Sequence, residues 1–177
     1  ESIHKILPKN FASLKNVTYI EPFVGGGAVL FWILKQYPNI TNAVINDINP
    51  DLITAYKTIK KTPSELVKFL QMIQEEYLPL DEKKRKEYFL NKRDRFNAKT
   101  LDPVENTALF VFLNRTCFNG LYRVNSKGLF NVPFGRYTYP KICDSQTIFA
   151  DSEVLQKVKI FTGDFEETLK YATPNSL

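Results

Sequence analysis

The sequence predicts an α/β fold: a doubly wound, Rossmann-like sheet whose order is interrupted by an inserted helical, hairpin-bearing domain. Three observations carry this. A β-rich run at 17–20 leads into Gly25-Gly26-Gly27, a helix-forming stretch and a second β-rich run that ends near Asp47, which is the order of an opening βαβ unit. Long charged helical segments then displace that pattern. Strand, turn and helix return at 158–161, 163–165 and 166–171. The sheet domain is therefore expected over 1–55 and 145–177, and the insertion over 56–144.

Taken in order, residues 2–10 have helical composition broken by Pro8, and 28–36 are apolar and rich in helix formers. Residues 42–48 form the second strand. Residues 50–98 predict long helices, with Thr62 as N-cap ahead of Pro63. Residues 83–96 set basic residues beside Tyr88, Phe89 and Phe96 as on an amphipathic helix. An apolar helix is expected over 104–114. The Gly, Asn, Pro and aromatic content of 115–140 points to hairpins and loops instead of a buried core.

Composition narrows the function. The 177 residues are 44% hydrophobic and 24% charged, as in a globular protein. No apolar run of about 18 residues is present, so no membrane span is expected. Two cysteines, Cys117 and Cys143, and one histidine, His4, argue against a disulfide scaffold, a zinc site or a serine triad, and a reducing, cytoplasmic setting is expected. The net charge of +5 is uneven: 56–144 hold 17 Lys+Arg against 10 Asp+Glu, while the flanks hold 7 against 9. Clustered basic charge attracts a polyanion, although the Lys83–Lys86 run alone reads first as a solvated helix face.

Two segments bear chemistry. At Gly25-Gly26-Gly27 the missing side chains let the backbone approach a ligand, and Asp47, 20 residues beyond Gly27, can accept both hydroxyls of a ribose. The third position of a dinucleotide fingerprint is Leu30. A nucleoside cofactor is expected, S-adenosyl-L-methionine (AdoMet) ahead of a nicotinamide, with a purely structural turn as the alternative. The second segment, 112–136, interleaves Arg115, Arg123, Lys127 and Arg136 with Phe118, Tyr122, Phe130 and Phe134, and adds Asn114, Asn119, Asn125 and Asn131. Arginine pairs with guanine and asparagine with adenine in the major groove. An aromatic wedge holds open the gap left by an extruded base. An aromatic loop packed on its own helices is the alternative.

The stretch NRTCFNGLYRVNSKGLFNVPFGRY resembles the target-recognition region of the Dam family of DNA adenine methyltransferases. EPFVGGGAVLF is similar to that family's AdoMet motif, and NDIN around Asp47 to its ribose-binding strand end. The resemblance implies a methyltransferase sheet with an inserted recognition domain. It also implies methyl transfer from AdoMet to the exocyclic amine of adenine in double-stranded DNA, typically in GATC, with base flipping and no metal. For the cofactor it implies Phe23, Val24, Gly25, Gly26 and Gly27 around the amino-acid end, Asp47 at the ribose, Asp164 and Phe165 at the adenine ring, and Pro22 and Ile48 as further cofactor-binding residues. For DNA it implies Arg123 on a guanine, Leu121 and Pro133 against neighbouring bases, and Phe118 stacked into the duplex beside Asn119. Arg115 and Asn125 complete that surface, and Arg136 holds phosphate. The family activates the amine with Asp-Pro-Pro-Tyr, a tetrapeptide these 177 residues do not contain. The chain is accordingly expected to be a piece of a longer protein, without a catalytic acceptor of its own. A non-catalytic DNA-binding module is the rival reading; a nicotinamide oxidoreductase fits less well, given Leu30 and the basic aromatic loop.

Overall fold

A computed structural model describes residues 7–177. Three strands, β1 (Val17–Glu21), β2 (Ile40–Asp47) and β3 (Val158–Thr162), form a parallel sheet in the order β1-β2-β3. The expected α/β class with a Rossmann-like sheet is what the chain adopts. The strand at 42–48 begins earlier, at Ile40, because Val17 pairs with Ile40 ahead of an irregularity between Val17 and Thr18. The middle strand buries Ala43, Val44, Ile45 and Asn46 in succession. A parallel strand covered on both faces reads as a continuous run for this reason.

Between β1 and β2 lies α1 (Ala28–Gln36), which buries Leu30, Ile33 and Leu34 at helical spacing. Of the helix expected at 2–10, residues 2–6 lie outside the described residues. Residues 7–10 are not helical, and a 3₁₀ turn follows at Phe11–Ser13. The helix expected at 166–171 is likewise 3₁₀, over Phe165–Tyr171. Thr168 Oγ1 donates to the Phe165 carbonyl there, a local bond that competes with α-helical pairing.

The chain divides into two compact units, Glu1–Ile53 with Glu153–Leu177, and Thr54–Ser152. The helical segment expected at 50–98 is three helices, α2 (Pro50–Lys61), α3 (Pro63–Tyr77) and α4 (Glu82–Asn97), followed by α5 (Pro103–Thr116) and α6 (Ser145–Leu155). Prolines mark several of the starts: Pro63 and Pro103 occupy first-turn positions where a missing N–H costs nothing. Asp81 accepts from the Lys84 N–H and Asp102 from those of Val104 and Glu105, which caps α4 and α5. Thr62 stands at the N-cap of α3, but its hydroxyl donates back to the Thr58 carbonyl.

Phe112 on α5 sits in the core of the second unit. It is fully buried, with ring centroids 5.2 Å from Tyr77 and 5.6 Å from Tyr88, distances at which edge-to-face rings attract. The expectation that 115–140 would stay out of a core needs correction: Cys117, Phe130 and Val132 are buried in this same cluster. Phe130 meets Phe96 edge-on at 6.4 Å. Composition hid this because glycine, asparagine and proline between the apolar anchors dilute any periodic signal. Phe112→Ala should cost about 3–5 kcal/mol of stability by leaving a cavity among these rings. A denaturant titration that returned a midpoint close to wild type would contradict this account of the core.

Candidate functional site

Two surfaces gather the residues singled out above, one in each compact unit. The first lies at the carboxyl ends of the three strands. After Glu21 the chain leaves β1 through Pro22, Phe23 and Val24 and turns at Gly25 (φ +49°) and Gly27 (φ +74°). Both lie in the left-handed region, which favours glycine, and Gly27 is the N-cap of α1. A Cβ added at Gly25 or Gly26 would meet nothing within 4 Å, so these glycines leave the side of the turn open.

Asn46 and Asp47 tie this turn to the rest of the sheet. The Asn46 amide, itself buried, donates to the Pro22 carbonyl at 3.2 Å and to the Gly163 carbonyl at 3.0 Å. Its main-chain oxygen accepts from the Val24 N–H at 3.0 Å. The half-buried Asp47 carboxylate accepts from the Gly25 N–H at 3.0 Å and the Asn49 N–H at 2.9 Å. Each carboxylate oxygen keeps capacity for a second donor, so the group is oriented and still able to accept.

Three large apolar side chains are exposed beside these residues in sequence: Phe23 at 72%, Ile48 at 81% and Phe165 at 43%. The Phe23 and Phe165 rings lie 5.5 Å apart, tilted by 39°. Asp164 Oδ1 accepts from the Glu166 N–H. A fixed carboxylate, an open glycine turn and exposed aromatic and aliphatic faces form a donor set that suits a nucleoside: hydroxyls for the acid, a flat base for the apolar faces. Asn46, within the NDIN stretch, has no role legible from its sequence neighbours, since it acts through contacts 24 and 117 residues away. Sequence reading also assigned none to Glu21, which accepts from the Tyr19 hydroxyl at 2.9 Å. Burial pushes the Glu21 carboxyl above its ordinary range, and the Tyr19 bond pulls it down.

The second surface is the segment after α5. Arg115 is exposed in the last turn of α5. Asn119 (φ +53°) and Gly120 (φ +60°) then turn the chain, and the Asn114 amide donates to the Gly120 carbonyl at 2.7 Å. A hairpin follows, bridged at Val124 and Phe130. Asn125 makes its turn: Oδ1 accepts from the N–H groups of Lys127 and Leu129, the local bonding by which asparagine shapes a turn. Arg123 is braced from the opposite strand, donating from Nε to Asn131 Oδ1 at 2.8 Å and from Nη2 to the Asn131 carbonyl at 3.2 Å. Phe118 (52%), Leu121 and Pro133 are exposed, and the Pro133 carbonyl accepts from the Phe118 N–H. Exposed Arg136 pairs with Glu82 on α4 at 3.3 Å.

Two residues that hold this segment escaped the sequence reading. Arg85 donates to the carbonyls of Tyr137, Thr138 and Leu78. Asn97 closes a two-way amide clamp on the Phe130 main chain, at 3.0 and 2.8 Å. Arg85 is half-buried inside a run of exposed lysines, and nothing in the run distinguishes it. Among the described residues no cluster of His, Cys, Asp or Glu could hold a metal ion, and no helix is long and apolar enough to cross a membrane.

The family described as D12 class N6 adenine-specific DNA methyltransferase matches residues 1–177. The chain is 48% identical over 176 residues to the type II methyltransferase M.MjaIII of Methanocaldococcus jannaschii, covering 98% of this chain and 61% of that protein. It is 42% identical over 159 residues to the type II methyltransferase M1.LlaDCHI of Lactococcus lactis, covering 87% and 52%. Over 172 residues it is 36% identical to a DNA adenine methylase of Haemophilus influenzae, covering 96% and 55%. The chain thus spans about half to three fifths of the length of these curated relatives.

The tightest backbone approach beside the second surface is at Gly135, where a Cβ would stand 2.5 Å from the Cys117 carbonyl oxygen. Gly135→Ala should force the Cys117–Phe134 bridge apart and cost about 1–3 kcal/mol. Thermal melting of the variant checks this; an unchanged midpoint would mean that the two backbones are not in contact there.

Proposed function

We propose, since this chain belongs to the D12 class of N6 adenine-specific DNA methyltransferases, that the protein it forms transfers a methyl group from AdoMet to the exocyclic amine of adenine in duplex DNA. The observation that carries the cofactor half is the Asp47 carboxylate, fixed by the Gly25 and Asn49 N–H groups at the end of the middle strand. Asp47 would hold the ribose, Phe23, Val24, Gly25, Gly26 and Gly27 the amino-acid end, and Pro22 and Ile48 would flank the cofactor. Asp164 and Phe165 would hold the adenine ring. When bound there, AdoMet supplies a sulfonium methyl open to attack by a nucleophile. The chain's own part is to orient that cofactor and to keep its base between apolar faces.

The DNA half rests on the hairpin that presents Arg123. A guanidinium braced by Asn131 loses little further freedom when it pairs with guanine, and bidentate arginine–guanine contacts discriminate strongly. We place Leu121 and Pro133 against neighbouring bases, Phe118 with Asn119 at the gap left by an extruded adenine, and Asn125 at a base edge through its NH₂ group. Arg115 and Arg136 lie on phosphate. An amine inside a stacked duplex is out of reach of any cofactor, so the target base must leave the stack. GATC is the site proposed, on the resemblance of the recognition segment.

Two outcomes are expected. Asp47→Ala should weaken AdoMet binding by about 1–3 kcal/mol without altering DNA site preference. Equilibrium dialysis with labelled AdoMet reads this directly, and unchanged affinity would remove the ribose assignment. DNA modified by the protein should be protected at GATC in restriction mapping, and Arg123→Ala should relax discrimination at one guanine by about 1–3 kcal/mol. Protection confined to another sequence would sink the GATC assignment, and equal loss on cognate and random duplexes would sink the role of Arg123.

A further inference from the structure

The Lys83–Lys86 run reads in sequence as a solvated face, and the structure divides it. Arg85 turns inward to the carbonyls of Leu78, Tyr137 and Thr138. Lys83 and Lys86, three apart and therefore on one side of α4, line a groove of about 440 Å³ with Glu82, Pro133, Phe134 and Arg136. Three cations and one carboxylate thus share a groove whose far wall is the recognition segment itself. The carboxylate is not idle. Glu82 Oε1 lies 3.3 Å from Arg136 Nε, with side chains 67% and 80% exposed. A pair that open is only weakly held, and a phosphate offers the same guanidinium a stronger partner.

We propose that this groove is a second backbone contact for duplex DNA, in which Lys83 and Lys86 neutralise phosphates flanking the recognised bases. Glu82 acts as a stand-in anion that occupies Arg136 until a phosphate displaces it. The inference rests on the DNA reading above and deepens it. Phosphate contacts fix register and carry no sequence information, so the groove sets affinity and salt dependence while the hairpin sets the site. Glu82 lowers affinity for all DNA alike, which restrains binding away from the target.

The test is the slope of log affinity against log salt, measured with the protein on a cognate and a random duplex. Each neutralised phosphate contributes a slope of about 0.9. Lys83→Gln with Lys86→Gln should make the slope shallower by about 1.8, equally on both duplexes, and Lys83→Arg with Lys86→Arg should restore it. Glu82→Gln should tighten binding to both duplexes, and this gain should vanish in an Arg136→Gln background, because the two residues act as one unit. A wild-type slope in the Lys83/Lys86 glutamine variant overturns the groove. A Glu82→Gln gain that persists without Arg136 overturns the stand-in role. Absence of salt-dependent binding by the wild-type protein would instead remove the DNA reading on which both stand.

Discussion

The cross-tie at the end of the middle strand is the constraint on which the sheet unit depends. Parallel strands end without a hairpin to fix where the chain goes next, so side chains must set the exits. Asn46 does this with one amide shared between the Pro22 and Gly163 carbonyls, and Asp47 with a carboxylate that draws in the Gly25 N–H. The Gly163 N–H also donates to the Asp47 carbonyl, at 3.2 Å. Burying polar groups of this kind is costly, and here the bonds made by the Asn46 NH₂ group and the Asp47 carboxylate place the glycine turn and the loop that bears Phe165. The same bonds that close the sheet thereby shape the proposed cofactor surface.

In the helical unit the equivalent task is to hold a segment with little regular structure. Apolar anchors provide the bulk of it: Cys117, Phe130 and Val132 are buried in the core around Phe112. Polar clamps provide the register. Asn97 pairs with both main-chain groups of Phe130, and Arg85 with two consecutive carbonyls, those of Tyr137 and Thr138. With its backbone pinned, the hairpin can expose Arg123, Leu121 and Pro133 without losing its geometry. A rigid scaffold beneath an exposed surface reduces the ordering cost that binding would otherwise carry.

Charge is used differently at the two surfaces. Near the strand ends the oriented carboxylates of Asp47 and Asp164 stand among exposed apolar groups, an arrangement for a small ligand with a few directed contacts. Along α4 and the 112–136 segment, cations are numerous and solvated, which suits a long anion held by many weak contacts. The Glu82–Arg136 pair belongs to the second regime, since screening by solvent makes it easy to exchange.

Local pattern determined a good deal by itself. The strand runs at 17–20, 42–48 and 158–161, the helix at 28–36 and the helix start at Pro63 all follow from side-chain periodicity and backbone sterics, which act over a few residues. The family was legible through the resemblance of the 112–136 segment, and Gly25 and Gly27 through the turn they must make; their left-handed φ values agree. Other features arise only in three dimensions. Asn46 looks like any polar residue at a strand end until Pro22 and Gly163 are brought to it. Arg85 looks like its lysine neighbours until one side of α4 is covered. Phe130 and Val132 look like loop residues until the core closes over them. In each case the deciding contact joins residues far apart in the chain, and desolvation on folding, which no short window of sequence contains, decides which of two similar side chains is held and which stays in water.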